Sequence, residues 1–282
     1  SPDDVPDAFE PHFHYDESVE LAIKIPHQIE RRNARPGDNL YDHLLACSAD
    51  SLAVFSLSGS GIKSWRGAYT DVVAIRTLHD LLHGELTLYT RDTLFTVPFN
   101  TVSEEMIERV TTLVGSHRNG RGTPGSGAAA HGGAPTAAAG VDPAEVADLY
   151  RNLMRREGRR SGAVPIAYQQ SISLEKREKH LFDPLLDAIR RITLRPVLVL
   201  AGPAEIVLYH AEPQIMRFGR GSYGYSRVEI PYSSLNGVAD QKSTVFIGGV
   251  DLSCSVPGHT ITVEVDEEFP VKAVQAATDV TP

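Results

Sequence analysis

Two segments of this chain resemble two later segments, and this internal repeat limits the possible folds more than any other feature. Leu44–Asp50 and Val199–Glu205 each contain an apolar run that leads into a turn ending in an acidic residue, and a second apolar run follows. Gly67–Ile75 and Ile230–Val238 form a second matching pair. A chain of 282 residues has the length of two typical domains, so we interpret it as two related modules.

The second matching pair gives residue-level equivalences. It aligns Tyr69 with Tyr232, Val72 with Leu235, and Ile75 with Val238. The offset between the copies grows from 155 to 163 residues, which predicts a longer loop in the second copy at Phe218–Tyr225. We therefore expect the two modules to superpose with the two tyrosines at the same position.

Each module has the pattern of several short strands followed by one helix. Between residues 44 and 99, and again between 196 and 265, apolar runs alternate with turn residues at the spacing of antiparallel strands. A helical period then follows, from Ser103 to Gly115 in the first module and within Phe269–Thr278 in the second. The sequence therefore predicts an α+β, mostly β fold, with two small antiparallel barrels or sandwiches that each end in a helix.

Composition divides the chain further, because a Gly/Ala-rich stretch and a basic stretch separate the modules. Helical patterns occur at Asp142–Glu157, where Asp142-Pro143 is a typical helix start, and near residues 174–192. The predicted order is an N-terminal extended arm (1–39), module 1 (40–116), a flexible linker (117–141), a basic helical connector (142–194) and module 2 (195–282).

The segment Ile230-Pro231-Tyr232-Ser233-Ser234-Leu235-Asn236-Gly237-Val238 resembles the central motif of bacterial pleckstrin-homology-like domains. Glu85–Thr90, Phe95–Phe99 and the helix from Ser103 resemble the end of such a domain, although Ala68 replaces the motif's proline in the first copy. The resemblance covers roughly residues 40–116 and 195–279, and it implies two tandem bent antiparallel barrels, each plugged by a helix. Family members are binding or assembly modules, often attached to membrane proteins, and one type assists photosynthetic reaction-centre complexes.

Charge is unevenly distributed along the chain. The net charge is −9, yet residues 151–195 hold eleven Arg or Lys and five acids. This stretch is either a set of solvated helix faces or a surface for anionic headgroups or an acidic protein. The candidate partner-binding residues are Arg151, Arg155, Arg156, Arg159 and Arg160, whose guanidinium groups can bind carboxylate or phosphate through two parallel hydrogen bonds. The acidic total argues against nucleic acid as a partner.

The Gly-rich segment Gly219–Tyr225 lacks the Lys and Ser/Thr of a phosphate-binding loop and is expected to join two strands. A hairpin loop and a contact loop are compatible interpretations of it. In the contact loop, Arg220, Tyr223 and Tyr225 bind a partner, since Tyr and Arg are favoured as interface anchors.

The sequence contains no recognisable catalytic set. There is no Gly-x-Ser-x-Gly or His-Glu-x-x-His motif, and His12 and His14 lack a third metal ligand nearby. Cys47 and Cys254 lie in separate apolar runs, as expected of buried thiols in a reducing compartment. We therefore expect no enzyme activity, no cofactor and no metal site.

These observations favour a scaffold subunit over two alternatives, a free ligand-binding protein and an enzyme of another type. No apolar stretch is long enough to span a bilayer. The expected protein is cytoplasmic and peripherally membrane-associated. It is expected to bind other protein subunits of a membrane complex, and the most specific candidate for that complex is a photosynthetic reaction-centre complex. Anionic lipid headgroups are a second class of expected partner.

Overall fold

The computed structural model describes residues 5–26, 35, 39–59, 61–80, 82–120, 141–173, 193–211, 224–244 and 247–279. Over these residues the fold is α+β and mostly β, with antiparallel sheets, none of which closes into a barrel. The chain divides into two compact units. Unit 1 comprises residues 1–72 and 82–128, and unit 2 comprises residues 73–81 and 129–282.

The described strands and helices follow one another in this order. The strands are β1 (Val19–Pro26), β2 (Tyr41–Ser48), β3 (Ser51–Ser58), β4 (Gly61–Ala68), β5 (Val72–His79), β6 (His83–Thr90), β7 (Leu94–Asn100), β8 (Val164–Gln169), β9 (Ile172–Ser173), β10 (Thr193–Leu194), β11 (Val197–Ala201), β12 (Glu205–Ala211), β13 (Tyr225–Pro231), β14 (Gly237–Lys242), β15 (Gly249–Val256) and β16 (His259–Asp266). The helices are α1 (Glu104–Arg118), α2 (Asp148–Ser161) and α3 (Val271–Asp279).

Unit 1 is built on the antiparallel sheet β1-β2-β3-β4, together with the β6–β7 ladder and α1. Helix α1 begins with Glu104 and Glu105, whose charges suit the positive helix end. It was expected to end at Gly115 but continues to Arg118, because Val114 and Arg118 both lie on its buried side. The helix stops before Gly120, whose φ of 67° is left-handed and whose N–H bonds to the His117 carbonyl.

Residues 5–15 are packed, whereas the sequence pattern predicted an extended arm over residues 1–39. Residues 5–15 lie on one face of the sheet, and Phe9 and Phe13 are buried there with exposures of 0% and 3%. The buried cluster consists of Val5, Phe9, Phe13, Leu44, Ala46, Ala53 and Phe55. Burying an aromatic side chain contributes about 1.5–3 kcal/mol, which exceeds the cost of fixing its rotamers. We call residues 5–15 cover 1.

Unit 2 contains the antiparallel strand order β5-β13-β12-β11-β8 and the three-stranded sheet β14-β15-β16, with α3 packed near β14. Strand β5 comes from the part of the sequence assigned to module 1, yet it pairs with β13, from Tyr225↔His79 to Glu229↔Ile75. The predicted boundary of 40–116 therefore does not delimit one compact unit.

Helix α2 lies within the predicted connector but begins six residues later than Asp142, because Asp142–Val146 forms turns instead. Its C-terminal end is set by Gly162, whose φ is 73° and whose N–H bonds to the Gly158 carbonyl. The predicted second helix near 174–192 and the linker at 121–140 lie outside the described residues. The connector also supplies β8, which pairs with β11, so it belongs to the sheet of unit 2.

Residues 146–161, which we call cover 2, occupy the position on unit 2 that cover 1 occupies on unit 1. They pack on the face of β11 and β12 that bears Leu198, Leu200, Val207 and Tyr209. In the strand ladders, Leu44 opposes Phe55 as Leu198 opposes Tyr209. The repeat thus extends to the segments before each sheet, and its offset in this hairpin is 154 residues.

The sequence alignment that matched Leu44 with Val199 is therefore shifted by one residue. A one-residue slip exchanges the two faces of a strand, and Leu44 and Leu198 are the residues that share a face and a role. The second matching segment keeps its predicted alignment. Tyr69 and Tyr232 each begin a three-residue 3-10 turn, Tyr69–Asp71 after β4 and Tyr232–Ser234 after β13.

Candidate functional site

The exposed side of α2 carries a row of arginine side chains. Asn152, Arg155, Arg156, Arg159 and Arg160 recur at helical spacing, so they share one side of the helix. Together they line a shallow groove of about 560 Å³. We call this surface the Arg face. Four of the five predicted arginines thus lie side by side.

The opposite side of α2 is held to unit 2 by a buried ionic network. Glu157 is fully buried, and its carboxylate accepts hydrogen bonds from the Tyr209 hydroxyl at 2.7 Å and from Arg227 at 2.9 and 3.1 Å. Arg227 also contacts the buried carboxylate of Glu229 on the same strand. A buried carboxylate is stable only when it is paired and hydrogen-bonded, so this network fixes which side of α2 faces inward.

The pKa directions agree with a charged network. Burial alone raises the pKa of Glu157, but the charge of Arg227 and the hydrogen bonds from Arg227 and Tyr209 outweigh it and hold that pKa below its ordinary value. Burial lowers the pKa of Arg227, yet the phenolic oxygen of Tyr209 and the carboxylate of Glu157 raise it overall. The guanidinium and the carboxylate therefore stay ionised in the folded protein.

Arg160 links the buried network to the Arg face. Its Nη1 lies 4.0 Å from Glu157 Oε1, and 27% of its side chain is exposed. The network contains two buried carboxylates, those of Glu157 and Glu229, and Arg227 provides only one positive charge to balance them. Arg160 supplies the second positive charge, so it stabilises the network as well as contributing to the surface.

Arg151, which was predicted to bind a partner with the other four arginines, does not line the Arg face. Its Nε donates to the Pro143 carbonyl at 2.8 Å, its Nη2 to the Val146 carbonyl at 2.7 Å, and its Nη1 to Asp148 at 2.9 Å. These bonds hold the turns that precede α2. The Arg151 guanidinium, which was expected to bind a partner, is hydrogen-bonded to its own chain.

The second candidate surface is not assembled in the described residues. Arg220 and Tyr223 lie outside them. Tyr225 belongs to β13 rather than to a loop, and its ring stacks on His79 at 4.9 Å and lies 5.8 Å from Tyr209. Tyr225 thus contributes to the packing of unit 2, because it is the first residue of β13.

Unit 1 contains a separate apolar groove of about 300 Å³ at β1 and the start of α1. Its walls include Ile23, Ile25 and Met106, and Tyr15, Lys24 and Ser103 add polar atoms. A groove of this size and character can hold a small ligand. The described residues contain no group of His, Cys, Asp and Glu arranged to hold a metal ion.

Sequence reasoning missed the buried network and the covers. Glu157 was counted as an acid in a basic helix, and its partner Arg227 follows 70 residues later on a strand. A sequence signal for the covers does exist, since Asp4-Val5-Pro6-Asp7-Ala8-Phe9 resembles Glu145-Val146-Ala147-Asp148-Leu149-Tyr150. Val5 with Phe9, and Val146 with Tyr150, are the buried residues of each copy.

Comparison with known proteins identifies no relative: no protein-family model, no curated protein and no solved structure matches this chain. Among the described helices, none is both long enough and apolar enough to cross a membrane. The candidate site is therefore defined by its own geometry, with a basic surface on α2 fixed from behind by a buried ion pair.

Proposed function

We propose that this protein is a non-enzymatic accessory or scaffold subunit of a membrane-associated complex, and that it attaches through the Arg face. The main support comes from the position of Arg155, Arg156 and Arg159 on α2. They lie on the exposed side of this helix, and the Glu157–Arg227 pair holds its other side against unit 2. A fixed helix presents several guanidinium groups in one orientation. Binding a partner through such a surface costs less side-chain and backbone ordering than binding through a mobile segment.

The preferred partner surface is anionic. The helix contains two acids, of which Glu157 is buried against Arg227 with Arg160 nearby and Asp148 bonds to Arg151. The chain carries −9 overall, so the Arg face is a local exception that orients the protein toward a negative partner. Carboxylates of a partner subunit are the first class of ligand. Lipid phosphates are the second, at about 1 kcal/mol for each Arg near an anionic membrane.

We further propose that both modules are pleckstrin-homology-like. In support, each module, taken together with one strand that lies before its predicted bounds, has four strands, a 3-10 turn, three strands and a helix. The first set is β1–β4, β5–β7 and α1, and the second is β8 with β11–β13, β14–β16 and α3. The resemblance of the Ile230–Val238 segment makes a photosynthetic reaction-centre complex the first assembly to test, with the protein on its cytoplasmic side.

Co-purification tests the attachment. An affinity-tagged protein carrying Arg155→Glu, Arg156→Glu and Arg159→Glu is compared with wild type in detergent-solubilised native membranes. Arg160 is left unchanged because of its contact with Glu157. The control carries Arg91→Glu, Arg109→Glu and Lys272→Glu, which change the net charge equally at exposed positions elsewhere.

Wild type and control are expected to retain the same membrane-protein partners, and the Arg-face variant is expected to lose them while its circular dichroism stays unchanged. Equal recovery of partners by all three proteins would refute attachment through the Arg face.

The second candidate function is a free ligand-binding protein, which the apolar groove beside β1 favours. It predicts that the protein stays in the soluble fraction of a native lysate. In that case Ile23→Trp, whose larger side chain fills the groove, would abolish ligand binding. The Arg-face variant would still bind the ligand.

A further inference from the structure

We propose that the free edge of β4 pairs with the edge strand β14 of a second copy of this chain. This is an interaction surface for self-association, and it does not depend on the Arg face. The supporting pattern already exists within unit 2, where β13 pairs with β5. By the repeat, β13 corresponds to β4 and β5 corresponds to β14.

The two strand pairs stand in the same place in each module. Strands β4 and β13 immediately precede the 3-10 turn that begins with a tyrosine. Leu52 opposes Gly67 as Ile206 opposes Ile230, so the registers of β4 and β13 agree at an offset of 163 residues. The same offset takes β5, which ends at His79, to β14, which ends at Lys242.

Burial differs sharply between the corresponding strands. In β13 six of seven residues are buried, whereas no residue of β4 is buried. Likewise β5 has five buried residues and β14 has none. Over the described residues β4 pairs only with β3, and β14 only with β15. Within the part of the chain that the structure describes, the eight-residue β4 thus has one edge without a partner strand, and such an edge is a ready template for another strand.

The outward backbone groups of β4 can be identified. The Ala68 N–H points away from β3, since it bonds to the Asp71 side chain at 3.1 Å. Alternate residues of a strand in an antiparallel pair point the same way, so Ser64 and Arg66 also direct their N–H and carbonyl groups outward. In β13 the corresponding residues, Arg227 and Glu229, are those paired with Thr77 and Ile75.

The charges on the two edges are complementary in the transferred register. Ser226↔Leu78 becomes Lys63↔Gln241, and Arg227↔Thr77 becomes Ser64↔Asp240. Asp240 then shares a face with Ser64, which opposes it, and with Arg66 of the other chain, which lies diagonal to it; Arg66 and Asp240 are both exposed. Two β4 strands paired with each other would bring together Lys63 and Arg66 of both chains with no acidic residue, since β4 contains none. The edge of β4 is therefore better suited to β14 than to itself.

One contact on β14 must yield to the incoming strand. The Gln275 side chain donates to the Val238 carbonyl at 3.1 Å, and Val238 is the residue that corresponds to Ile75. Gln275 is partly buried, and the pairing requires its amide to rotate away from the Val238 carbonyl. Asp240 and Lys242 provide the remaining outward groups.

Disulfide trapping between full-length chains tests the register. Lys63→Cys and Gln241→Cys proteins are mixed in equal amounts under mild oxidation, so that only cross-links between chains can join the two sites. The control mixture contains Ser64→Cys and Gln241→Cys, whose side chains lie on opposite faces of the paired strands. The native Cys47 and Cys254 are buried and give a low background.

The in-register mixture is expected to give at least about tenfold more cross-linked dimer than the control, since its Cα atoms lie within disulfide range. Ser64→Pro removes an outward N–H, which an edge strand tolerates, and is expected to weaken self-association measured by sedimentation about tenfold. Ser64→Ala keeps the N–H and should associate like wild type. Equal cross-linking in both mixtures, or a wild-type protein that stays monomeric at all concentrations, would overturn the proposal.

Discussion

Tyr69 and Tyr232 begin the same turn in two modules, but their hydroxyl groups have different surroundings. The Tyr69 hydroxyl donates to the Ser48 carbonyl at 2.5 Å. The Tyr232 hydroxyl is buried, and the described residues offer it no hydrogen-bond partner. In both turns the N–H of the following residue, Val72 or Leu235, bonds back to the tyrosine carbonyl. The backbone motif is therefore repeated although the side-chain contact is not.

This difference predicts opposite effects of one substitution. Tyr69→Phe removes a hydrogen bond and is expected to lower the free energy of unfolding by about 1 kcal/mol. Tyr232→Phe removes an unsatisfied buried hydroxyl, so it is expected to leave that free energy unchanged or to raise it by up to about 1 kcal/mol. Urea denaturation of both variants measures the difference. Equal destabilisation by the two substitutions would contradict the assigned contacts.

The buried network predicts a large effect at Glu157. Glu157→Ala removes a carboxylate from Arg227, which keeps its contacts with Glu229 and the Tyr209 hydroxyl, and breaking a buried ion pair costs about 3–5 kcal/mol. Chemical denaturation monitored by tyrosine fluorescence gives the value. Asp148→Ala, on the exposed side of the same helix, is the control and is expected to cost less than about 1 kcal/mol. A Glu157→Ala variant as stable as the control would show that the pair does not hold α2.

The same residue predicts a pH dependence. The folded-state pKa of Glu157 lies below its ordinary value of 4.5, so its ionised form stabilises the fold above about pH 4.5. That contribution is lost as the pH falls through the lower folded-state pKa. The stability advantage of wild type over Glu157→Gln is therefore expected to be constant near neutral pH and to shrink on acidification. An advantage that grows below pH 4.5 would reverse the assigned direction.

Cover 1 predicts that the N-terminal segment contributes to stability. Phe9→Ala is expected to lower the free energy of unfolding by about 3–5 kcal/mol, because Phe9 is fully buried against Phe55 and its neighbours. The control is Glu10→Ala at the adjacent exposed position, with an expected change within about 0.5 kcal/mol. If both substitutions were neutral, residues 5–15 would be the extended arm that their composition suggests.

Part of this fold could be predicted because its signals are local. The equivalence of Tyr69 and Tyr232 follows from a short motif, although the 3-10 turn at each was not predicted, and α1 follows from its helical period and acidic first turn. The register of the first hairpin could not be read to one residue. The runs at Leu44–Cys47 and Val197–Ala201 are buried on both faces, so no alternation marks which side chain faces which way.

The residues of the candidate site could be predicted from the sequence, but the separate roles of these residues could not. The basic residues Arg155, Arg156 and Arg159 could be recognised from the charge of the segment alone. Their exposure follows from the helical pattern and does not depend on a distant residue. The separate roles of Arg151 and Arg160 depend on contacts with a turn and with a buried carboxylate, and composition carries no such information. Burial of Glu157 likewise depends on Arg227, which is distant in sequence.

Co-sedimentation with native membranes across a salt series tests the central claim most directly. Wild-type protein is expected to sediment with membranes at low salt and to be released as the salt concentration rises, because screening weakens exposed charge pairs. The protein with Arg155→Glu, Arg156→Glu and Arg159→Glu is expected to stay in the supernatant at every salt concentration, while the Arg91, Arg109 and Lys272 control follows wild type. Sedimentation of the Arg-face variant with the wild-type salt profile would contradict the claim that this side of α2 is the attachment surface.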